Sequence, residues 1–135
     1  MNTVKIYIDG ASRGNPGRGG IGIICKDSTG NTIFTISKFV GIVTNNQAEY
    51  IALIEGLKEA IKNNIKEAII YSDSELLVNQ LNEKYKVKSL ELYKYFKEAK
   101  ELLKNFNFIK IELITRRENR DADILASNGS MGGVE

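Results

Sequence analysis

The sequence predicts a single mixed α/β domain in which a five-stranded sheet packs against helices. The predicted elements follow the order strand, strand, strand, helix, strand, helix, helix, strand, helix. Short turns rich in Gly, Asn and Asp separate the first three strands, which is typical of antiparallel hairpins. Helices separate the later strands, which is typical of parallel pairing. The 135 residues suffice for one hydrophobic core, and they contain no repeat or internal linker.

The first three strands are predicted over residues 3–8, 19–25 and 32–40. Val, Ile and Tyr in the first of these favour an extended backbone, and the Gly-Asn-Pro-Gly sequence at residues 14–17 favours a turn. We therefore expect Asp9 at the carboxyl end of the first strand, where ligands usually bind. This segment alone is equally consistent with an aspartate that only caps a turn.

The first helix is predicted over residues 45–63, with Thr44 or Asn45 as its N-cap. Glu49 falls on the packed face of this helix, four residues before Leu53. A carboxylate at such a position indicates a function, because a solvated glutamate belongs on the opposite face. The alternative is a partly exposed glutamate that the helix dipole favours near a helix start.

Residues Glu67–Ser72 form a short apolar strand between helices, so we expect it to lie buried and parallel to the first strand. Asp73 follows directly, and Ser72 and Glu75 have the spacing of a capping box. Asp73 is then either an acidic residue in the first turn of a helix or a second carboxylate at a strand end. Since parallel neighbours end at the same sheet edge, the second interpretation places it beside Asp9.

The remaining chain predicts a helix over residues 90–104, a strand over 108–114 and a short helix that Asn119 caps. The Lys-rich outer face of the first of these is interpreted as solvation rather than as a nucleic-acid contact. Asp121 and Asp123 both lie in the last helix, where they point about 200° apart, so only one can face the other carboxylates. Residues 129–135 are expected to form a flexible tail.

Composition narrows the possible chemistry. The chain has no His and one Cys, which excludes the usual Ser-His-Asp, Cys-His and zinc sites. Any metal must therefore be held by oxygen ligands, which favours Mg²⁺ or Mn²⁺. Cys25 is interpreted as a core residue, and the absence of a signal peptide or long apolar run predicts a cytoplasmic protein. The net charge of +2 neither requires nor excludes a polyanionic partner.

Four segments, in this order, resemble type 1 ribonuclease H. They are residues 9–17 (DGASRGNPG), 44–49 (TNNQAE), 72–74 (SDS) and 119–126 (NRDADILA). The resemblance implies the ribonuclease H-like fold, with helices on both faces of the sheet and a catalytic domain over residues 1–128. We expect a minimal monomeric form, without the N-terminal hybrid-binding module or the basic protrusion of some members.

The resemblance implies a catalytic and metal-binding set of Asp9, Glu49, Asp73 and Asp123 with two Mg²⁺ or Mn²⁺ ions. Asp9 would bridge the ions, Asp123 would help to hold the ion that activates water, and Glu49 and Asp73 would hold the ion at the leaving 3′ oxygen. The reaction is hydrolysis of the RNA strand of RNA–DNA hybrids to 5′-phosphate and 3′-hydroxyl ends. Electrostatics supports the cations independently, since two carboxylates about 5 Å apart repel by roughly 3 kcal/mol at an effective dielectric constant of about 20.

The family also implies a set of nucleic-acid contacts, namely Gly10, Ser12, Gly14, Asn15, Thr44, Asn46 and Ser74. Ser12 and Gly14 would meet ribose 2′-hydroxyls, Asn15 and Asn46 the DNA strand, and Thr44 a DNA phosphate. Such contacts read backbone and shape, so cleavage is expected to be largely independent of base sequence. For Asn15 and Asn46, ordinary turn and cap chemistry is the open alternative.

Two departures from the family pattern bear on function. The His that many members carry before the last carboxylate is missing, and Arg116, Arg117 and Glu118 occupy that loop, so product release or proton handling is expected to differ. Glu75 stands where many members have Gln. Two alternatives stay open, namely cleavage of double-stranded RNA by the same site and a non-catalytic module that binds hybrids.

Overall fold

A computed structural model describes residues 3–132 and contains a five-stranded sheet in the order β3-β2-β1-β4-β5. The strands are β1 (Val4–Gly14), β2 (Gly17–Lys26), β3 (Thr32–Val43), β4 (Glu67–Ser72) and β5 (Phe108–Leu113). The helices are α1 (Asn45–Lys62), α2 (Glu75–Leu81), α3 (Leu90–Leu103) and α4 (Arg120–Ser130). β1, β2 and β3 pair antiparallel, whereas β4 pairs parallel with both β1 and β5. The predicted mixed sheet is confirmed.

β1 is longer than predicted and continues through Asp9 to Gly14, so the prediction that Asp9 ends this strand is wrong. The pairing of Gly14 with Gly17 shows why, because β2 supplies hydrogen-bonding partners along this whole extension. The parallel pairing with β4, in contrast, stops at Tyr7 and Tyr71. Asp9 therefore lies just beyond the point where β4 stops accompanying β1.

The start of α2 also differs from the prediction. Ser74 is its N-cap, and the Ser74 hydroxyl accepts a hydrogen bond of 3.2 Å from the Leu77 N–H. Ser72 is fully buried at the end of β4, where its hydroxyl accepts the Ser74 N–H at 3.0 Å. Ser72 and Glu75 therefore do not form a capping box, and of the two interpretations of Asp73 the structure excludes the one in a first helical turn, because Asp73 lies between the strand and the cap.

The predicted flexible tail does not begin at Gly129, because α4 continues to Ser130. Gly129 and Ser130 are buried, and Arg13 and Arg18 hold this end of the helix against the β1–β2 hairpin. The Arg13 Nε donates to the Ser130 Oγ at 2.7 Å, and the Arg18 Nε donates to the Ser130 carbonyl at 3.2 Å. Residues 133–135 of the predicted tail lie outside the described residues.

Helices cover both faces of the sheet, as predicted. Gly10 contacts the α1 backbone, whereas Gly22 contacts the α4 backbone. Gly22 pairs with Asp9 and therefore faces the same side of the sheet as Asp9. Gly10 follows Asp9 in the strand and faces the other side, so the two glycines lie on opposite faces. On the α1 side lies the core, where residues such as Ile8, Ile23 and Leu53 are fully buried, and α3 packs mainly on α1. No helix within residues 3–132 is both long and apolar enough to cross a bilayer.

Two glycines set how closely these helices approach the strands. A Cβ on Gly10 would lie 2.3 Å from the carbonyl carbon of Ala48, the residue before Glu49. A Cβ on Gly22 would lie 2.1 Å from the carbonyl oxygen of Ala122, the residue before Asp123. Neither distance is compatible with a real side chain. The absence of these two side chains therefore brings Glu49 and Asp123 within reach of Asp9.

Gly22→Ala is expected to destabilise the chain by about 1–3 kcal/mol or more, because the new methyl group must push α4 off the sheet. Gly56→Ala in α1 is the matched control, since its Cβ would meet Ile8 and Ile23 at an ordinary 3.5 Å. There the better helix propensity of Ala should stabilise by up to about 1 kcal/mol. Urea unfolding of both variants measures this, and equal effects would contradict the packing argument.

Candidate active site

Three carboxylates meet at the sheet edge where β1 and β4 separate. Asp9 comes from β1, Glu49 from near the start of α1, and Asp73 from the connection between β4 and α2. Each offers one oxygen, and these three oxygens lie within 4.8 Å of one another. Asp9 is buried, with 5% of its surface exposed, and the other two are half-buried. They border an open cavity of about 420 Å³.

Glu49 is held in place by the backbone of β1. The N–H of Gly10 donates to the Glu49 Oε1 at 3.1 Å, so the residue after Asp9 fixes the second carboxylate. Thr44 starts the helix with a capping box, in which its hydroxyl accepts the Gln47 N–H and the Gln47 side chain accepts the Thr44 N–H. Thr44 rather than Asn45 is therefore the N-cap.

The two aspartates of α4 have different surroundings. Asp123 borders the same cavity as the three carboxylates, and its carboxyl group is close enough to hydrogen-bond with Asp9. Asp121 is exposed and lines a separate, smaller cavity of about 130 Å³. The helix thus directs only Asp123 toward the cluster, as the spacing of the two residues requires.

Crowding and burial raise the pKa values of these acids. Burial, the charge of Asp73 and a hydrogen bond with Asp123 raise the pKa of Asp9 from 3.8 to about 8. Burial and the charges of Asp9 and Asp73 also raise the pKa of Glu49 well above its ordinary range. The pKa of Asp73 is raised by burial as well, although the Asn119 amide and the Arg116 charge oppose the shift. The positive charge of Arg116 therefore does not fully offset the burial and mutual repulsion of these acids.

The donor set fits a hard divalent cation. Carboxylate oxygens are the ligands that Mg²⁺ and Mn²⁺ prefer, and the oxygens of Asp9, Glu49 and Asp73 converge closely enough to share an ion. Burial is the largest cause of the raised pKa values, and a second cause, the like charge of neighbouring carboxylates, is one that a bound cation would relieve. Asp123 could add an oxygen from the α4 side of the cavity.

Hydrogen bonds connect part of the predicted nucleic-acid-binding set to the start of α1. The Ser12 N–H donates to the Asn45 Oδ1 at 3.0 Å, and the Ser12 hydroxyl donates to the Val43 carbonyl at 2.8 Å. The Asn45 N–H in turn donates to the Asn15 Oδ1 at 3.0 Å. The tip of the β1–β2 hairpin is therefore fixed beside the N-terminus of α1.

Only some of the predicted contacts border the cavity. Gly10, Ser12 and Ser74 line it, whereas its described lining does not include the remaining four, which are Gly14, Asn15, Thr44 and Asn46. Asn15 and Asn46 are exposed near its rim, at the hairpin turn and in the first turn of α1. Those two therefore extend the polar surface around the carboxylates rather than the cavity itself.

The chain matches the family model described as reverse transcriptase-like over residues 7–129. The crystal structure of RNase H1 from the halophilic archaeon Halobacterium salinarum NRC-1 superposes with a TM-score of 0.92 at 35% identity. This match covers 94% of the chain and 96% of the archaeal protein. The chain belongs to the ribonuclease H1 family. The family that the four sequence segments indicate is thereby confirmed.

A second relative of known structure is similarly close. The N-terminal RNase H domain of Rv2228c from Mycobacterium tuberculosis has a TM-score of 0.91 at 37% identity, covering 95% of this chain and 98% of that one. The full-length bifunctional protein Rv2228c is 40% identical over 126 residues, which are 93% of this chain but only 35% of Rv2228c. This chain thus spans about a third of that relative.

One ribonuclease H1 structure shows a bound nucleic acid. LC11-RNase H1, isolated from compost, was solved in complex with an RNA/DNA hybrid. It has a TM-score of 0.88 at 35% identity to this chain, and the match covers 93% of this chain and 95% of the LC11 chain.

Sequence reasoning missed Asn45 and misassigned Asn119. Asn45 lines the cavity, but its place beside the N-cap offered a purely local explanation. Asn119 precedes α4 as predicted, yet its side chain makes no capping hydrogen bond and reaches toward Asp73 instead. Arg116, which stands in the loop where many ribonucleases H1 have His, also lines the cavity. The family comparison was the only sequence signal for that position.

The raised pKa of Asp9 predicts how stability depends on pH in the absence of metal. A carboxyl group with a raised folded pKa stabilises the fold below its unfolded pKa, and this contribution is lost as pH rises through the folded value of about 8. Glu49 and Asp73 act with the same sign. The melting temperature in EDTA should therefore fall from about pH 5 to about pH 8.

Asp9→Asn should flatten this decrease and raise the melting temperature at about pH 8, because it removes one repelling charge. Asp27→Asn is the control for the pH dependence, since the Thr29 hydroxyl lowers the pKa of Asp27, so that this carboxylate stays charged throughout the range. Differential scanning calorimetry at several pH values measures both. A lower melting temperature in Asp9→Asn would mean that Asp9 supports the fold directly.

Proposed function

We propose that this chain hydrolyses the RNA strand of RNA–DNA hybrids with divalent cations held by Asp9, Glu49, Asp73 and Asp123. The observation that carries the proposal is the convergence of the first three carboxylates, whose oxygens lie within 4.8 Å beside an open cavity. Membership of the ribonuclease H1 family supports it, as does the relative that was solved with an RNA/DNA hybrid. The proposed catalytic unit includes α4, whose C-terminal end is Ser130.

Asp9 is the residue best placed to contact more than one ion, because it interacts with each of the other three acids. Two Mg²⁺ or Mn²⁺ ions, when bound, would supply an activated water and stabilise charge on the leaving 3′ oxygen, giving 5′-phosphate and 3′-hydroxyl ends. Glu49 is oriented for this role by the Gly10 N–H, and Asp123 by its position in α4. Arg116 supplies positive charge at the cavity wall, where phosphate oxygens would lie.

The polar surface around the carboxylates suits a nucleic-acid backbone. The Gly10 backbone, Ser12 and Ser74 would face the sugar and phosphate groups nearest to the cut. Gly14, Thr44 and the exposed Asn15 and Asn46 would extend these contacts over the hairpin tip and the α1 N-terminus. Since none of these groups needs to read base edges, cleavage would be largely independent of sequence.

We further propose that the protein acts as a monomer in the cytoplasm.

Asp123→Asn should reduce cleavage of a labelled RNA–DNA hybrid at least about a hundredfold, because several kcal/mol of charge stabilisation depend on the metal ligands. Asp121→Asn is the matched control, since it removes the same charge from the same helix but outside the cavity. Asp9→Asn and Asp73→Asn should behave like Asp123→Asn. Initial rates in saturating Mg²⁺ measure this, and undiminished cleavage by Asp9→Asn would reject the proposal.

The same assay separates the alternative substrates and roles. We expect the hybrid to be cut much faster than a double-stranded RNA of the same sequence at equal concentration. If double-stranded RNA is cut faster, the same site would be a nuclease for double-stranded RNA rather than for hybrids. Hybrid binding without turnover in saturating Mg²⁺ or Mn²⁺ would indicate a binding module instead.

A further inference from the structure

Asn119 is almost completely buried, with 1% of its surface exposed, at the junction between the β5–α4 loop and α4. It stands at the N-cap position, but its side chain makes no capping hydrogen bond. Instead, the Asn119 Nδ2 donates to the backbone carbonyl of Ile8 at 2.8 Å and to the Asp73 Oδ2 at 3.3 Å. The side chain thus connects three segments that are distant in the sequence.

The chemistry of these partners fixes the orientation of the amide. A backbone carbonyl and a carboxylate can only accept, so the NH₂ group of Asn119 must face both of them. The Asn119 Oδ1 is then buried, and within the described part of the chain it has no hydrogen-bond partner. An unpaired buried acceptor costs stability. The unpaired Oδ1 therefore gives no reason for an asparagine at this position. The reason lies in the two hydrogen bonds that its NH₂ group donates.

Each contact of Asn119 leads to a different carboxylate of the site. Ile8 directly precedes Asp9, and its carbonyl lies just past the last paired residue of the β1–β4 ladder, Tyr7. Asp73 is contacted directly, through one of its two carboxylate oxygens. The backbone carbonyl of Asn119 accepts the Asp123 N–H at 3.0 Å, in the first turn of α4.

We propose that Asn119 is a positioning residue for the metal site, which acts by holding Asp73 at a fixed distance from Asp9 and Asp123. This inference rests on the proposed function, because it concerns the same carboxylates. Asn119 itself is not a ligand in this proposal. A donor that orients a carboxylate ligand raises metal affinity without touching the ion, and loss of such a donor typically weakens affinity about 10–100-fold.

The test is direct titration of the metal-free protein with MnCl₂, in which free Mn²⁺ is measured by electron paramagnetic resonance. Asn119→Ala should weaken Mn²⁺ binding by about 10–100-fold relative to the wild type. Asn119→Ser, which retains a side chain suited to capping α4, should show a comparable loss and carries the test if the alanine variant does not fold. All titrations are made at a temperature where circular dichroism shows the variants to be folded.

Asn82→Ala is the matched control. The Asn82 Nδ2 donates to the carbonyl of Ile111 in β5 at 3.1 Å, so its removal deletes the same type of bond, away from the carboxylates. Mn²⁺ binding should be unchanged in this variant. If the role of Asn119 is purely structural, Asn119→Ala and Asn82→Ala should both lower the melting temperature and leave the Mn²⁺ affinity unchanged.

Cleavage of the hybrid gives a second measurement. Activity of Asn119→Ala should be low at limiting Mn²⁺ and recover at saturating Mn²⁺, with an unchanged KM for the hybrid. If Asn119→Ala or Asn119→Ser binds Mn²⁺ as tightly as the wild type, the inference fails but the proposed function stands. The same holds if cleavage by Asn119→Ala stays low at saturating Mn²⁺. A wild-type chain that binds no Mn²⁺ and cuts no hybrid would overturn the proposed function, and the inference with it.

Discussion

Mutual repulsion among buried carboxylates is the constraint on which the rest of this structure depends. Asp9, Glu49 and Asp73 are held within 4.8 Å of one another, although burial and like charge raise the pKa of each. A rigid framework maintains this arrangement. The framework consists of backbone contacts that no side chain interrupts, where Gly10 touches α1 and Gly22 touches α4. Tight packing therefore offsets unfavourable electrostatics.

The sequence was informative where a residue's local pattern and its long-range role coincide. β4 has the predicted bounds, because its apolar run is both a strand and part of the core. Glu49 was recognisable because a carboxylate on a packed helical face conflicts with the local pattern. Asp73 could be placed beside Asp9 because β1 and β4 were predicted to be parallel, and their pairing does stop two residues before each aspartate. In each case the order and pattern of the predicted elements carried enough information.

Prediction failed where partners distant in the sequence determine the local conformation. The glycines after Asp9 suggest a turn, yet β2 pairs with them and extends β1 to Gly14. Ser72 fits a capping pattern, but β4 retains it. Asn119 has an adequate explanation as a helix cap, which hid its hydrogen bonds to Ile8 and Asp73. Local sequence patterns limit the conformations that a segment can adopt, whereas tertiary contacts determine which of these conformations it adopts.

The position of α3 keeps the surface charge of this helix separate from the geometry of the acidic site. This helix packs mainly on α1, whereas Asp9, Asp73 and Asp123 belong to β1, the β4–α2 connection and α4. One of its surface contacts is an ion pair between Lys58 of α1 and Glu98 of α3, with a separation of 3.2 Å. Substitutions on the outer side of α3 can thus alter the charge of the molecule without disturbing the spacing of the acids. Within such a layered architecture, the surface charge of the molecule and the spacing of its acids are free to evolve independently.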